Sequence, residues 1–177
     1  MAIRRSVVIS SAVVVGAVLW YLFRPDALVI SKTVNEPFPG AQESAMGASA
    51  KSSAIGASDE AEPVRLVTGR FHSNAHETKG LATIYVLDDG RRVLRLTGFS
   101  TSNGPDVRVY LVAATDVQEE DRAKQAGIVD LGELKGNVGD QNYDVPAGLD
   151  LSRYRAVSIW CRRFSVNFGA APLAAVM

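Results

Sequence analysis

Cys161 is the only cysteine in a chain of 177 residues, and it sits in Trp160-Cys161-Arg162-Arg163-Phe164, where a soft nucleophile, two cations and two aromatic rings are consecutive. A thiolate can cycle through oxidation states or ligate a soft metal centre, and cations close to a thiol favour that charged form. In a strand, however, neighbours alternate faces, so only one of the two arginines can share the side of Cys161. Trp160 and Phe164 could stack on a flat cofactor, but core packing explains them as simply. Free cysteine is among the most buried residue types, which makes an inert core thiol the competing reading. A lone cysteine excludes an intramolecular disulfide, a CxxC pair, a CxxCH haem attachment, a multi-cysteine zinc site and a lipid-accepting cysteine near the N-terminus.

His72 and His76, the only histidines, lie in GRFHSNAHETKG. An i, i+4 pair would suit a metal on a helix, yet glycines at 69 and 80 and the polar middle indicate a strand end and loop, where this spacing does not put both rings on one face. Two histidines with one cysteine invite comparison with a blue-copper site. Cupredoxins carry a histidine soon after the cysteine, and none follows Cys161, so no metal site is assigned. Thiolate and imidazole both serve as axial haem ligands, so these residue types also admit haem, and the sequence by itself names no cofactor. The run Asp140, Asn142, Asp144 has the spacing of the start of a calcium loop, but Val145 and Leu151 stand where glycine and glutamate belong, and an ordinary turn is expected. No G-x-S-x-G elbow supports serine hydrolase chemistry.

The elements that must position these residues read as β. In AVSIWC, Val157, Ile159 and Cys161 form one apolar row, while Phe164, Val166 and Phe168 form a row of opposite parity. That phase slip predicts a bulge or a tight hairpin at Arg162-Arg163. TIYVL and RVLRL flank Asp88-Asp89-Gly90, a hairpin signature, so these strands should pair. Asn103-Gly104-Pro105 marks a sharp turn before a strand in which Val107, Val109 and Leu111 share a face. Residues 116–126 are charged and read as a solvated connection, another strand is expected over 128–134, and residues 135–146 read as a turn-rich loop. About seven to nine short strands without a long amphipathic helix predict an all-β domain, an antiparallel sandwich or partly open barrel.

Ahead of this domain the chain changes character. Arg4 and Arg5 precede an uncharged run over 7–23, long enough for about 26 Å of helix. No small-residue cleavage site directly follows it, and Trp20 and Tyr21 resemble an aromatic interface belt. The expectation is an uncleaved signal-anchor over 1–24: one transmembrane helix, single-pass in the cell membrane, with the C-terminal domain extracytoplasmic. Residues 25–62, rich in Ala, Ser and Gly, read as a flexible tether, leaving 63–177 for the domain. Nineteen basic against nineteen acidic residues give no net charge, so nothing favours a nucleic-acid partner.

Together, GRFHSNAHETKGLATIYVLDDGRRVLRLTGFSTSNGPDVRVYLVA, DLGELKGNVGDQNYDVP and LDLSRYRAVSIWCRRFSVNFGAAPL resemble the DM-thirteen domain, a module found beside DOMON domains in Skeletor-type animal proteins and alone in bacteria. The most specific pieces are the Asn103-Gly104-Pro105 turn, Leu134-Lys135-Gly136-Asn137 with Asn142-Tyr143, and Trp160-Cys161 with Phe164. The resemblance covers about residues 64 to 173 and implies a compact β-sandwich. It also implies an electron-transfer role centred on Cys161, as a bare thiol or as the ligand of a group such as haem, with His72, His76, Trp160 and Phe164 as further candidates to bind that group and an unidentified redox protein as partner. A stand-alone enzyme is not implied. The alternative is a non-catalytic binding or adhesion module that presents loops 101–106 and 135–146 to a protein or glycan.

The anchor reading predicts that the full chain stays in the membrane fraction through alkaline extraction. Recovery of a soluble mature form beginning between residues 24 and 50 would instead mark the apolar run as a cleaved signal.

Overall fold

The computed structural model describes residues 13–16, 31–39, 63–118 and 127–176. Of the membrane helix expected over 7–23, Val13–Gly16 fall within them and are helical; the rest of that segment lies outside the described residues. Among the described residues no helix is long and apolar enough to cross a membrane.

Among the described residues the domain is all-β, as expected, with ten strands in two antiparallel five-stranded sheets that do not close into a barrel. They are β1 (Val64–Arg70), β2 (His72–Ser73), β3 (Lys79–Val86), β4 (Arg92–Ser100), β5 (Val107–Val112), β6 (Ile128–Glu133), β7 (Gln141–Val145), β8 (Ala156–Cys161), β9 (Val166–Pro172) and β10 (Ala174–Ala175). One sheet runs β10-β1-β3-β4-β7 and the other β2-β9-β8-β5-β6. The count exceeds expectation through β2 and β10, two-residue edge pieces too short to leave a periodic signature.

The expected pairing of β3 and β4 forms, with Ile84 opposite Leu94. Gly90 adopts φ +80, a left-handed conformation that glycine takes without a steric penalty. Ile84, Leu94 and Leu96 from this sheet meet Val109, Leu111, Val157 and Ile159 from the other, all fully buried. Alternation sends Tyr110, Val112, Ala156 and Trp160 to the opposite face, where they form a second buried cluster with Val117 and Ala170. Val117 corrects the solvated reading of 116–126. It is fully buried, and its carbonyl accepts hydrogen bonds from Asn74 and Asn167 Nδ2 at 2.9 and 3.0 Å. One valine inside a polar run plugs the outside of the sheet, a role that charge patterning does not reveal. Residues 119–126 lie outside the described residues.

Loops β4–β5, β6–β7 and β8–β9 emerge at the same end of the sandwich, opposite the Asp88-Asp89-Gly90 turn. Part of the stretch expected to be loop, 141–145, is strand β7, because Gln141, Tyr143 and Val145 alternate inward. The loop before it is braced from inside. Gln141 Oε1 accepts the Gly136 N–H at 3.1 Å and Nε2 donates to the Gly136 carbonyl at 2.8 Å. Tyr143 Oη donates to Gln141 Oε1 at 2.8 Å and accepts the Lys135 N–H at 3.1 Å. Burial, the largest influence, pushes the Tyr143 hydroxyl up to about 12.

Residues 31–39, expected within the flexible tether, instead lie extended along this loop. Thr33 bridges Val138 in parallel, Lys32 N donates to Asn137 Oδ1 at 2.6 Å, and Glu36 N donates to the Asp140 carbonyl at 2.8 Å. A Cβ on Gly136 or Gly139 would meet the Lys32 or Val34 carbonyl oxygen at 2.4 or 2.1 Å, so the bare backbone of the loop is what admits the strap. Phe38 packs edge-on against Tyr85 at 4.9 Å. The Glu36 carboxylate accepts the Asn142 N–H and Lys135 Nζ, both at 2.7 Å. The low-complexity composition of 25–62 hides this short specific segment.

Partial burial pushes the Glu36 carboxyl up, but the Lys135 and Asn142 hydrogen bonds, with Lys135 and Arg95 charges, outweigh it and hold it below its ordinary 4.5. A depressed carboxyl contributes stability that is present above the unfolded value and lost as pH falls through the folded one. Glu36→Gln is therefore expected to cost roughly 1–2 kcal/mol near pH 7. The difference from wild type should close as pH drops through and below about 4.5, read by denaturant melts at several pH values.

Candidate functional site

Cys161 ends β8, with Val107 of β5 and Val166 of β9 as its cross-strand partners. The phase slip seen in the sequence is a tight hairpin: strand resumes at Val166 after a turn over 162–165. The thiol points into the main core and is fully buried. Among the described residues no hydrogen bond reaches its sulfur.

One residue further on, Arg162 lies on the surface and is tied to the β4–β5 loop. Its N–H donates to the Asp106 carbonyl at 2.8 Å, and its Nε donates to Asp106 Oδ2 at 2.8 Å. Arg108 Nε reaches the other oxygen of Asp106 at 3.1 Å. Burial pushes the Asp106 carboxyl up, but the two guanidinium groups more than offset this and hold it below its usual value. Asp106, which the sequence reading did not single out, thus clamps the hairpin beside Cys161. The only available signal was its place directly after the Asn103-Gly104-Pro105 turn.

The other sequence candidates are not gathered around the thiol. His72 pairs with Ala170, four positions along β9 from Val166, which corresponds to roughly 13 Å of strand. Its Nε2 lies 2.8 Å from Asp116 Oδ1, so its partner is the loop that carries Val117. Burial opposes ionisation of Asp116, yet the hydrogen bonds from His72 and Gln118 hold its carboxyl below the ordinary value. His76 packs its ring against Phe168, with centroids 4.0 Å apart and planes tilted by 48°. Trp160 lies in the second cluster, on the face of the sheet opposite Cys161, and Phe164 is 57% exposed at the hairpin tip. Alternation separates the adjacent Trp160 and Cys161, and the turn carries Phe164 out of the core.

This arrangement does not fit a haem. The sulfur is enclosed by packed apolar side chains, both histidines are engaged elsewhere, and neither large ring joins the core cluster that holds the sulfur. No group of three or more His, Cys, Asp or Glu side chains that could hold a metal ion occurs among the described residues. Nor does the Asp140-Asn142 pair frame a cation site, because the Arg95 guanidinium bonds Asp140 Oδ2 and Asn142 Oδ1, each at 2.8 Å.

The loops proposed for binding do converge. Residues 102–107 and 133–137, with Ser31 and Lys32 of the strap, line an open pocket of about 480 Å³. Val107 is shared: it lines this pocket and is the cross-strand partner of Cys161. The thiol is therefore the cross-strand neighbour of a pocket-lining residue.

The family model described as "Electron transfer DM13" matches residues 70–173. No curated protein and no solved structure matches the chain.

If the Asp106 clamp keeps the thiol closed, Cys161 in the folded protein should react with a thiol reagent only through local opening of the hairpin. Asp106→Asn removes roughly 1 kcal/mol of ion-pair stabilisation and is expected to speed labelling about fivefold without unfolding the domain. Labelling kinetics beside a circular dichroism spectrum check this; an unchanged rate would mean that the clamp does not control access.

Proposed function

Because the chain belongs to the electron transfer DM13 family, we propose that its β-sandwich takes part in electron transfer. In this reading Cys161 exchanges the electron, and residues 7–23 hold the domain at the extracytoplasmic face of the cell membrane. The observation that carries it is the position of the sole thiol, fully buried yet next to a surface hairpin and directly across from Val107 in the pocket wall. An electron can pass through such a neighbour without its partner touching the sulfur. The packing around the sulfur keeps out peroxide and foreign thiols, which would carry the sulfur to sulfenic acid or a mixed disulfide. Loss of one electron from the S–H group leaves a sulfur radical and releases a proton. With no hydrogen-bond acceptor at the sulfur, that proton leaves when the hairpin opens to water, so the Asp106 clamp would set the rate of the step. The electron passes to a partner redox protein docked over the pocket.

The pocket favours a second reading, a non-catalytic module in which loops 101–106 and 135–146 bind a protein or glycan and Cys161 merely fills the core. Cys161→Ser and Cys161→Ala separate the two. Serine buries a hydroxyl without a partner and should cost roughly 1–3 kcal/mol, whereas alanine is the apolar control. If the thiol carries the electron, both variants fold and lose electron exchange with a chemical one-electron mediator, measured on the same sample as the melt. A folded alanine variant that retains full exchange overturns the thiol reading.

A further inference from the structure

The connection from β6 to β7 holds the segment 101–107 at both ends. Leu134 N donates to the Val107 carbonyl at 2.8 Å. At the other end the Thr101 N–H bonds the Asn137 carbonyl at 2.8 Å, and the Thr101 carbonyl accepts Asn137 Nδ2 at 3.2 Å. Residues 102–105 alone join Thr101 to Asp106, which grips the hairpin beside Cys161 by accepting the Arg162 N–H and Nε. That span has little slack. A Cβ on Gly104 would run into Val107 and the Phe168 ring, and Pro105 has a fixed φ, so a shift at Thr101 is passed to the clamp.

The strap holds Asn137 in turn. Asn137 is buried, and the Lys32 N–H, at 2.6 Å, is the only donor to its Oδ1 among the described residues. Once the strap undocks, that oxygen is a buried acceptor without a partner, which is costly until the amide turns or the loop moves to reach water. Either adjustment slackens the bond from Nδ2 to Thr101. A connected path thus runs from the strap through Asn137, Thr101 and Asp106 to Arg162, the residue after Cys161. It begins outside residues 70–173, the part of the chain that belongs to the family.

We propose that the strap is a latch: docked, it keeps the 162–165 hairpin beside Cys161 closed, and undocked, it lets that hairpin open to water. A segment that is either seated or free is the kind of two-state element that couples separated groups. For its part in electron exchange the latch rests on the thiol reading above, in which hairpin opening releases the proton. Ser31 and Lys32 line the pocket that receives the partner in that reading, so a partner that displaces them opens the hairpin as it docks.

The test measures labelling of Cys161 by a water-soluble maleimide in the full chain, in detergent micelles at fixed pH. Gly136→Ala drives a Cβ into the Lys32 carbonyl and dislodges the strap without removing a polar group, and Gly136 has no positive φ that alanine would strain. Lys32→Pro removes the N–H that bonds Asn137 and leaves the sandwich itself unaltered. Both variants should speed labelling about fivefold, the effect of one lost hydrogen bond on the closed-to-open ratio, with the shallow denaturant dependence of a local opening. Lys32→Ala keeps the N–H, and Thr68→Ala breaks only a side-chain bond between β1 and β3; each should label at the wild-type rate. Added to Asp106→Asn, either latch variant should gain less than about twofold, because the clamp is already cut. Wild-type labelling in both latch variants, acceleration only with the steep denaturant dependence of global unfolding, or a full fivefold gain on top of Asp106→Asn each overturns the latch. Failure of the thiol reading shows elsewhere, as full electron exchange in folded Cys161→Ala, and leaves the labelling rates to decide the latch.

Discussion

The end of this domain that carries the pocket hangs on one buried amide. Gln141 is fully buried, and its side chain bonds both the N–H and the carbonyl of Gly136 while accepting the Tyr143 hydroxyl. An unpaired buried amide is costly, so each of these bonds forces the others and the β6–β7 loop has one conformation. From it Asn137 reaches the Thr101 carbonyl and the strap. Gln141 thus braces the loop from inside, and Asn137 and Glu36 tie the strap to that braced loop.

The second constraint is that β5 and β8 are buried on both faces. A central strand of a two-layer sandwich normally shows one face to water, but here Val117 and its loop cover the outer side. Adjacent residues of β8 therefore meet different surroundings: Cys161 joins the core between the sheets, Trp160 the outer cluster. A run that looks like one chemical cluster in the sequence is divided by the thickness of a sheet. What remains beside the thiol is the Asp106 clamp, and access to sulfur becomes a property of the hairpin instead of its neighbours in the sequence.

Much of the fold was legible without coordinates because it rests on local rules. Period-two alternation around Val109, Leu111, Val157 and Ile159 gave the inward faces, Asp88-Asp89-Gly90 gave a hairpin, and the parity change between Cys161 and Phe164 gave another. The two-residue edge strands and the burial of Val117 were not legible, since both depend on what lies across space and neither leaves a period. Asp106 and Gln141 were equally silent, because a polar residue declares its role only through its partners, and these lie in other strands.

The amino-acid order alone determined the β class, the family likeness, the single thiol and the uncharged run near the N-terminus, all of which are properties of composition and short-range pattern. Tertiary structure alone decided that residues 31–39 are a docked strap, that His72 and His76 serve other contacts, and that Cys161 is fully buried next to Val107, which lines the pocket. The reason is physical. Hydrogen-bond partners such as Lys32 with Asn137 are separated by 105 positions, and only the closed sandwich brings them within bonding distance.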